Sequence, residues 1–215
     1  NQSLTVPIPR PQVDLVPYAR WIEAQSRIPG TPLVRSFDVS QRDPQVDSYT
    51  HFFLQDFANT YDQALVAIDA VINGNLGRAR EILAYYQNLG RVPSRSNKEP
   101  GVFSGEAFWI GIAAVQYTHR TSDSQFLPLI ERIGQYALGL QQADGRILGG
   151  PNLSWTSTEH NLDALSFFFF SILTELNINP QSRQRYQQAQ RGVAQWLARS
   201  AYMNVEGRFQ RGQND

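Results

Sequence analysis

From Thr60 onward the chain alternates between two kinds of helix-length stretch. Tyr61 to Asn73, Glu106 to His119 and Glu159 to Leu176 are apolar nearly all round. Leu76 to Leu89, a segment ending near Gln142, and Gln181 to Ala201 carry their apolar residues on one stripe, with Arg, Gln and Glu elsewhere. The first kind predicts helices enclosed on most sides, and the second predicts amphipathic helices with one face in water. Each enclosed helix is joined to its amphipathic partner by a tight turn, centred on Asn75, Asp123 and Asn179. Each pair is followed by a long loop, over 90–105, over 143–158 and from Tyr202. The loops share an opening: Gly90-Arg91-Val92, Asp144-Gly145-Arg146-Ile147 and Glu206-Gly207-Arg208-Phe209. Helix, tight turn, helix, long loop is therefore an internal repeat. It predicts an all-α fold of α/α hairpins in two layers, with the apolar helices inside, as a solenoid or toroid.

Residues 1–58 stand apart from this pattern. Pro7, Pro9 and Pro11 predict an extended lead-in, and Asp14 opens a helix to about Arg27 with Pro17 in its first turn. Residues 28–50 read as irregular loop, and Tyr49 to Asn59 as loop or a short turn of helix. The expected organisation is one domain: three hairpins over 59–215 with the lead-in packed on them.

Composition narrows the function classes. The 215 residues hold 19 basic and 19 acidic side chains without a long run of either sign. That pattern argues against a nucleic-acid partner held through phosphates. The longest apolar run, Leu165 to Leu173, is interrupted by Ser166 and Ser171 and is too short to span a bilayer. There is no cysteine, so neither a disulfide frame nor a thiolate metal site is possible. With His51, His119 and His160 as the only histidines and no paired spacing, a metal site on Glu159, His160 and Asp163 is disfavoured, and no cofactor is expected. Residues Phe167 to Phe170 read as core between the helical layers. A start at Asn1 without a basic and apolar leader fits a mature secreted or periplasmic chain, and leaves the cytoplasm open.

Candidate chemistry gathers where the inner helices begin. All three start on the long-loop side, so their first turns converge: Tyr61 and Asp62, then Glu106 with Trp109, then Glu159, His160, Asn161 and Asp163. Glu159 and Asp163 are four apart and share a helix face. A carboxylate in a first turn is also favoured by the helix dipole alone, and Ser157 or Thr158 can cap the last of these helices. Against capping as the whole account stands the recurrence of acids and aromatics at three successive helix starts around one concave face.

The runs Tyr61-Asp62-Gln63-Ala64-Leu65, Gly74-Asn75-Leu76-Gly77-Arg78-Ala79, and Trp155 through Glu159-His160-Asn161-Leu162-Asp163-Ala164 resemble the six-hairpin glycosidase superfamily of (α/α)6 toroids, its bacterial members in particular. The resemblance covers about residues 60–210. It implies carbohydrate binding or cleavage with acids at the inner-helix rim, on an oligo- or polysaccharide. Asp62, Glu106, Glu159 and Asp163 are then the acid/base candidates. Trp109, Trp155 and Tyr61 are expected to stack on sugar rings, and His160 and Asn161 to bond hydroxyls. A β-elimination lyase would need His160 or a tyrosine as base and Arg91, Arg95 or Arg146 to neutralise a uronate. A non-catalytic binding or assembly protein would use the same concave face. Six hairpins need about 300 residues, so the rest of the ring is expected in a longer chain or a second one.

Overall fold

The computed structural model describes residues 20, 24, 27–37, 45–173 and 178–213. The predicted helix from Asp14 to Arg27 lies outside them, apart from Arg20 and Ala24, whose N–H donates to Arg20 O at 3.0 Å, and Arg27, which bridges Val34 instead of ending a helix. Seven α-helices are described: α1 Ser48–Gln55, α2 Thr60–Ile72, α3 Leu76–Asn88, α4 Ser104–Thr121, α5 Leu127–Leu140, α6 Thr158–Leu173 and α7 Pro180–Trp196. A 3-10 turn, Ser124–Phe126, leads into α5, and α7 runs out through a π-helical turn, Leu197–Ala201. The aromatic segment at 49–59 is thus mostly helix, α1, held at its start by the Asp47 carboxylate accepting the Thr50 N–H.

The alternating pattern translates into two layers. Helices α2, α4 and α6 pack side by side, while α3, α5 and α7 each lie against their own hairpin partner and against one another. Position in this array decides burial. Phe108 of α4 stacks on Phe167 of α6, and Phe167 and Phe168 meet Tyr186 of α7. The approach is close because Gly111 faces Phe167, where a Cβ would come within 2.7 Å of the ring. The four-phenylalanine run divides, contrary to its reading as core throughout. Phe167 and Phe168 are buried, whereas Phe169 and Phe170 are exposed. Successive helical residues turn by about 100°, so four in a row cannot share one face.

The tight turns work as caps. Asn75, Asp123 and Asn179 each accept a backbone N–H of the following helix, from Arg78, Gln125 and Gln181. The shared loop opening also has a backbone cause: Gly90, Gly145 and Gly207 all have positive φ. Gly145 is the most constrained, with φ +96° and Gly192 O only 2.2 Å from where a Cβ would stand. Gly145→Ala is expected to cost roughly 2–4 kcal/mol, from strain and clash together. Urea denaturation measures it, against Gly207→Ala, which meets no neighbouring atom and strains φ alone.

Each long loop returns to the start of its own hairpin. The first N–H of each inner helix donates to a carbonyl of the loop that follows that hairpin: Thr60 to Arg95 O at 2.9 Å, Ser104 to Gly149 O at 2.8 Å, and Thr158 to Arg211 O at 3.0 Å. These are groups that a helix leaves unsatisfied by itself. Around the latches run short antiparallel pairings that periodicity did not predict. Asn59 bridges Ser96. Strand β1, Thr156–Ser157, pairs with β4, Gly212–Gln213, and β2, Tyr202–Met203, pairs with β3, Arg208–Phe209.

Candidate functional site

The latches hold the starts of α2, α4 and α6 together, and with them the acids. Asp163 lies one and a half turns into α6 and is only 7% exposed. Burial, with the charges of Glu159 and Glu106 added, pushes its carboxyl up to about 7, and the Trp109 indole opposes the rise. Trp109 Nε1 and Asp163 Oδ2 are nevertheless both buried without a hydrogen bond of full geometry. Glu106 Oε2 is buried and unpaired as well. Its carboxyl is raised by burial and partly held down by Arg95. Tyr61 of α2 closes the group. Its ring lies 5.0 Å from that of Trp109, and burial followed by the fields of Asp163, Glu159 and Glu106 keeps its phenol protonated.

Five of the sequence-derived candidates therefore come together: Tyr61, Glu106, Trp109, Glu159 and Asp163. Three successive inner helices supply them, and three of their polar atoms want partners. Buried polar atoms are ordinarily satisfied by protein, water or ligand, so the cluster is chemically unfinished.

The remaining candidates have other surroundings. The charge of Asp62 bears on buried Tyr86 of α3, away from the cluster. Asn161 is fully buried and clamps the second long loop. Its Oδ1 accepts the Ile147 N–H at 2.8 Å, and its Nδ2 donates to Ile147 O at 3.0 Å and Ser157 O at 2.8 Å. That leaves it no exposed atom for a sugar hydroxyl. Gln63, at the same position in α2, clamps Val34 in the same way. Arg146 stands in the loop turn with its guanidinium 3.6 Å from Asp144.

His160 bridges two inner helices. Its Nδ1 accepts the Gly105 N–H at 3.3 Å and lies 2.9 Å from Ser104 Oγ. An amide can only donate, so Nδ1 carries no proton and the ring proton sits on Nε2. Burial lowers the imidazole's pKa and Glu159 opposes this, so the ring is neutral. It supplies the cap that Phe103, at the N-cap of α4, cannot. Ser157 caps α6 through the His160 N–H at 3.3 Å, as predicted.

Beside the cluster opens a cavity of about 740 Å³, lined by Trp155 and Thr156 to His160, by Leu162, and by Gln210, Arg211 and Gly212 from the third long loop. Trp155 packs between Phe103, at 6.1 Å, and His160, at 5.4 Å. Sequence reasoning missed Arg211 and the threonines here. No local signal marked Arg211, since the latching carbonyls belong to Arg95, Gly149 and Arg211 and share no residue type.

Fold and site define an all-α protein of packed helical hairpins with a carboxyl-rich cleft at one end of the inner layer. No family model matches the chain, and no curated protein or solved structure matches it significantly. Among the described residues no helix is long and apolar enough to cross a membrane, and no three metal-ligating side chains come together.

Proposed function

We propose that the protein is a glycoside hydrolase acting on an oligo- or polysaccharide. The observation that carries this reading is the Asp163 carboxyl, buried, held at about 7 and flanked by two further acids and two aromatic rings. A group that keeps its proton to neutral pH can donate it to a leaving glycosidic oxygen. Glu159, exposed on the same helix face and lining the cavity, is the partner that activates water or attacks the sugar. Burial holds Asp163 protonated, with like charge from Glu159 and Glu106 added, and the Trp109 indole N–H and the Tyr61 phenol donate to substrate oxygens. A lyase reading is less well supported, because His160 spends Nδ1 on Gly105 and has no lone pair left on Nε2.

The test is turnover and binding on a panel of polysaccharides. The double variant Glu159→Gln/Asp163→Asn is expected to lose hydrolysis while retaining binding within about fivefold. Binding by the natural protein with no hydrolysis of any substrate would make it a binding module instead.

We infer further that the three hairpins are part of an (α/α)6 toroid. Leu65 and Ile72 on α2, and Leu162 and Phe169 on α6, are exposed apolar residues on the two inner helices that have only one inner neighbour among the described residues. Further hairpins of the same repeat, in a longer polypeptide, would cover them. Intact mass and light scattering on protein from its natural source are expected to exceed 24.4 kDa. A lone monomer of that mass would end the toroid proposal.

A further inference from the structure

The three inner helices start alike, and one start is held by its neighbour. Thr60, Ser104 and Thr158 are the latched residues, so Tyr61, Gly105 and Glu159 share one station and Asp62, Glu106 and His160 the next. Asn59 caps α2 through the Tyr61 N–H, and Ser157 caps α6 through the His160 N–H. Phe103 makes no side-chain cap for α4. The acceptor comes from α6 instead, as His160 Nδ1, 3.3 Å from the Gly105 nitrogen. Gly105 is fitted to that ring, since a Cβ there would stand 2.7 Å from His160 Cδ2 and 2.8 Å from Nε2. Trp155 meets the ring edge-on at 5.4 Å.

This bond joins the two sides of the acid cluster. Gly105 precedes Glu106 on α4, and His160 follows Glu159 and lies one turn before Asp163 on α6. It is also a bond that one proton destroys. An imidazolium donates from both nitrogens, so a proton on Nδ1 faces the Gly105 N–H and leaves it without an acceptor. The Ser104 hydroxyl, 2.9 Å away, can turn to accept from the charged ring, and the amide cannot. A helix start carries the positive end of its dipole and disfavours a cation there. The charged groups around the ring are Glu159 and Asp163 on α6, Glu106 on α4 with Arg95 over the adjoining Phe103, and Arg211 on the wall of the same cavity. Burial outweighs Glu159 and lowers the imidazole from its ordinary 6.5. The unfolded chain takes up that proton more readily than the native ring, so the bond stabilises fully above 6.5 and progressively less below it.

We propose that His160 is a positioning residue for this site. Its neutral ring clasps the start of α4 to the start of α6 and so sets the spacing of Glu106 from Glu159 and Asp163, and a proton on Nδ1 opens the clasp. The effect on rate rests on the hydrolase reading; the clasp itself does not. His160 then limits the reaction in acid, as Asp163 limits it in alkali.

The test follows ring and amide together from about pH 5 to about pH 8 in the natural chain, His160→Asn and His160→Ala. Asparagine puts an oxygen that does not titrate where Nδ1 stands. Nitrogen NMR is expected to find Nδ1 bare and Nε2 protonated at the alkaline end, with the ring titrating below 6.5. Protection of the Gly105 amide from hydrogen exchange should fall about tenfold or more through that same titration. His160→Asn should hold its protection across the range, and His160→Ala should lack it throughout. On a glycan that is cleaved, the natural chain's rate should decline in acid with the ring's apparent pKa. His160→Ala should lower kcat about tenfold or more with KM changed less than about threefold. His160→Asn should restore most of that loss and move the acid decline to lower pH. Gly105 protection that ignores the ring's titration would overturn the clasp, and that measurement needs no variant to fold. Protection that follows the ring, with an acid decline unmoved in His160→Asn, would overturn the positioning role. A chain that cleaves no glycan would end the hydrolase reading, while the exchange data still establish or overturn the clasp.

Discussion

Asp163→Asn is expected to make the protein more stable and inactive at once. The sign follows from the raised carboxyl. Between the ordinary value of 3.8 and about 7, the native state holds a proton that the unfolded chain has released. Stability therefore falls as pH rises through that window, and above it the native state carries a buried charge. The penalty at pH 8 is on the order of 4 kcal/mol. An asparagine keeps the shape and removes the charge. Thermal melts should show the variant several degrees above the parent at pH 8 and level with it near pH 4. Hydrolysis, if the carboxyl is the acid, should fall by about 10²–10⁴-fold, and the parent's rate should decline on the alkaline side with an apparent pKa near 7. A variant that loses activity without gaining stability at pH 8 would mean that the carboxyl is not held protonated by burial.

The largest loss of stability is expected from Asn161→Ala. Its side chain makes three hydrogen bonds, two of them to the backbone of Ile147, which is itself fully buried. Truncation leaves an N–H and a carbonyl unpaired in apolar surroundings, at about 1–3 kcal/mol each. A total of roughly 3–5 kcal/mol is expected, read from denaturant midpoints. Hydrogen exchange should localise the damage to the Ile147 amide and the loop around it. Gln63→Ala should do the same at Val34. If Asn161→Ala instead leaves stability intact and weakens only sugar binding, the residue is a ligand contact after all.

These two residues show what could be read without coordinates. Asp163 sits on an apolar helix, one turn beyond Glu159, and that pattern places both on one face and the aspartate deeper. The convergence of Tyr61, Glu106, Trp109, Glu159 and Asp163 follows from helix order and direction alone, given the repeat. Asn161 is different. Nothing local separates an amide that bonds a sugar from one that bonds a loop backbone fourteen residues away. Asp62 is similar, since Tyr86, on which its charge bears, lies on another helix and is brought near by tertiary packing. The tight-turn caps were legible because side chain and amide are two or three residues apart. The latches were not, because they join carbonyls and amides of unrelated sequence across a whole hairpin.

Those latches bear on how such a molecule is inherited. Every closing bond, from Thr60 to Arg95, from Ser104 to Gly149 and from Thr158 to Arg211, is made within one unit. A unit can thus be copied, lost or inserted without breaking another's closure. A loop can also be rewritten between its two fixed ends while the helix start it secures stays in place. The third loop has grown a β-hairpin, β2 and β3, between α7 and its latch, where the first loop has none. Lineages carrying this architecture would be free to change the ligand they meet by exchanging loops, while the carboxyl on the helix beneath keeps its setting.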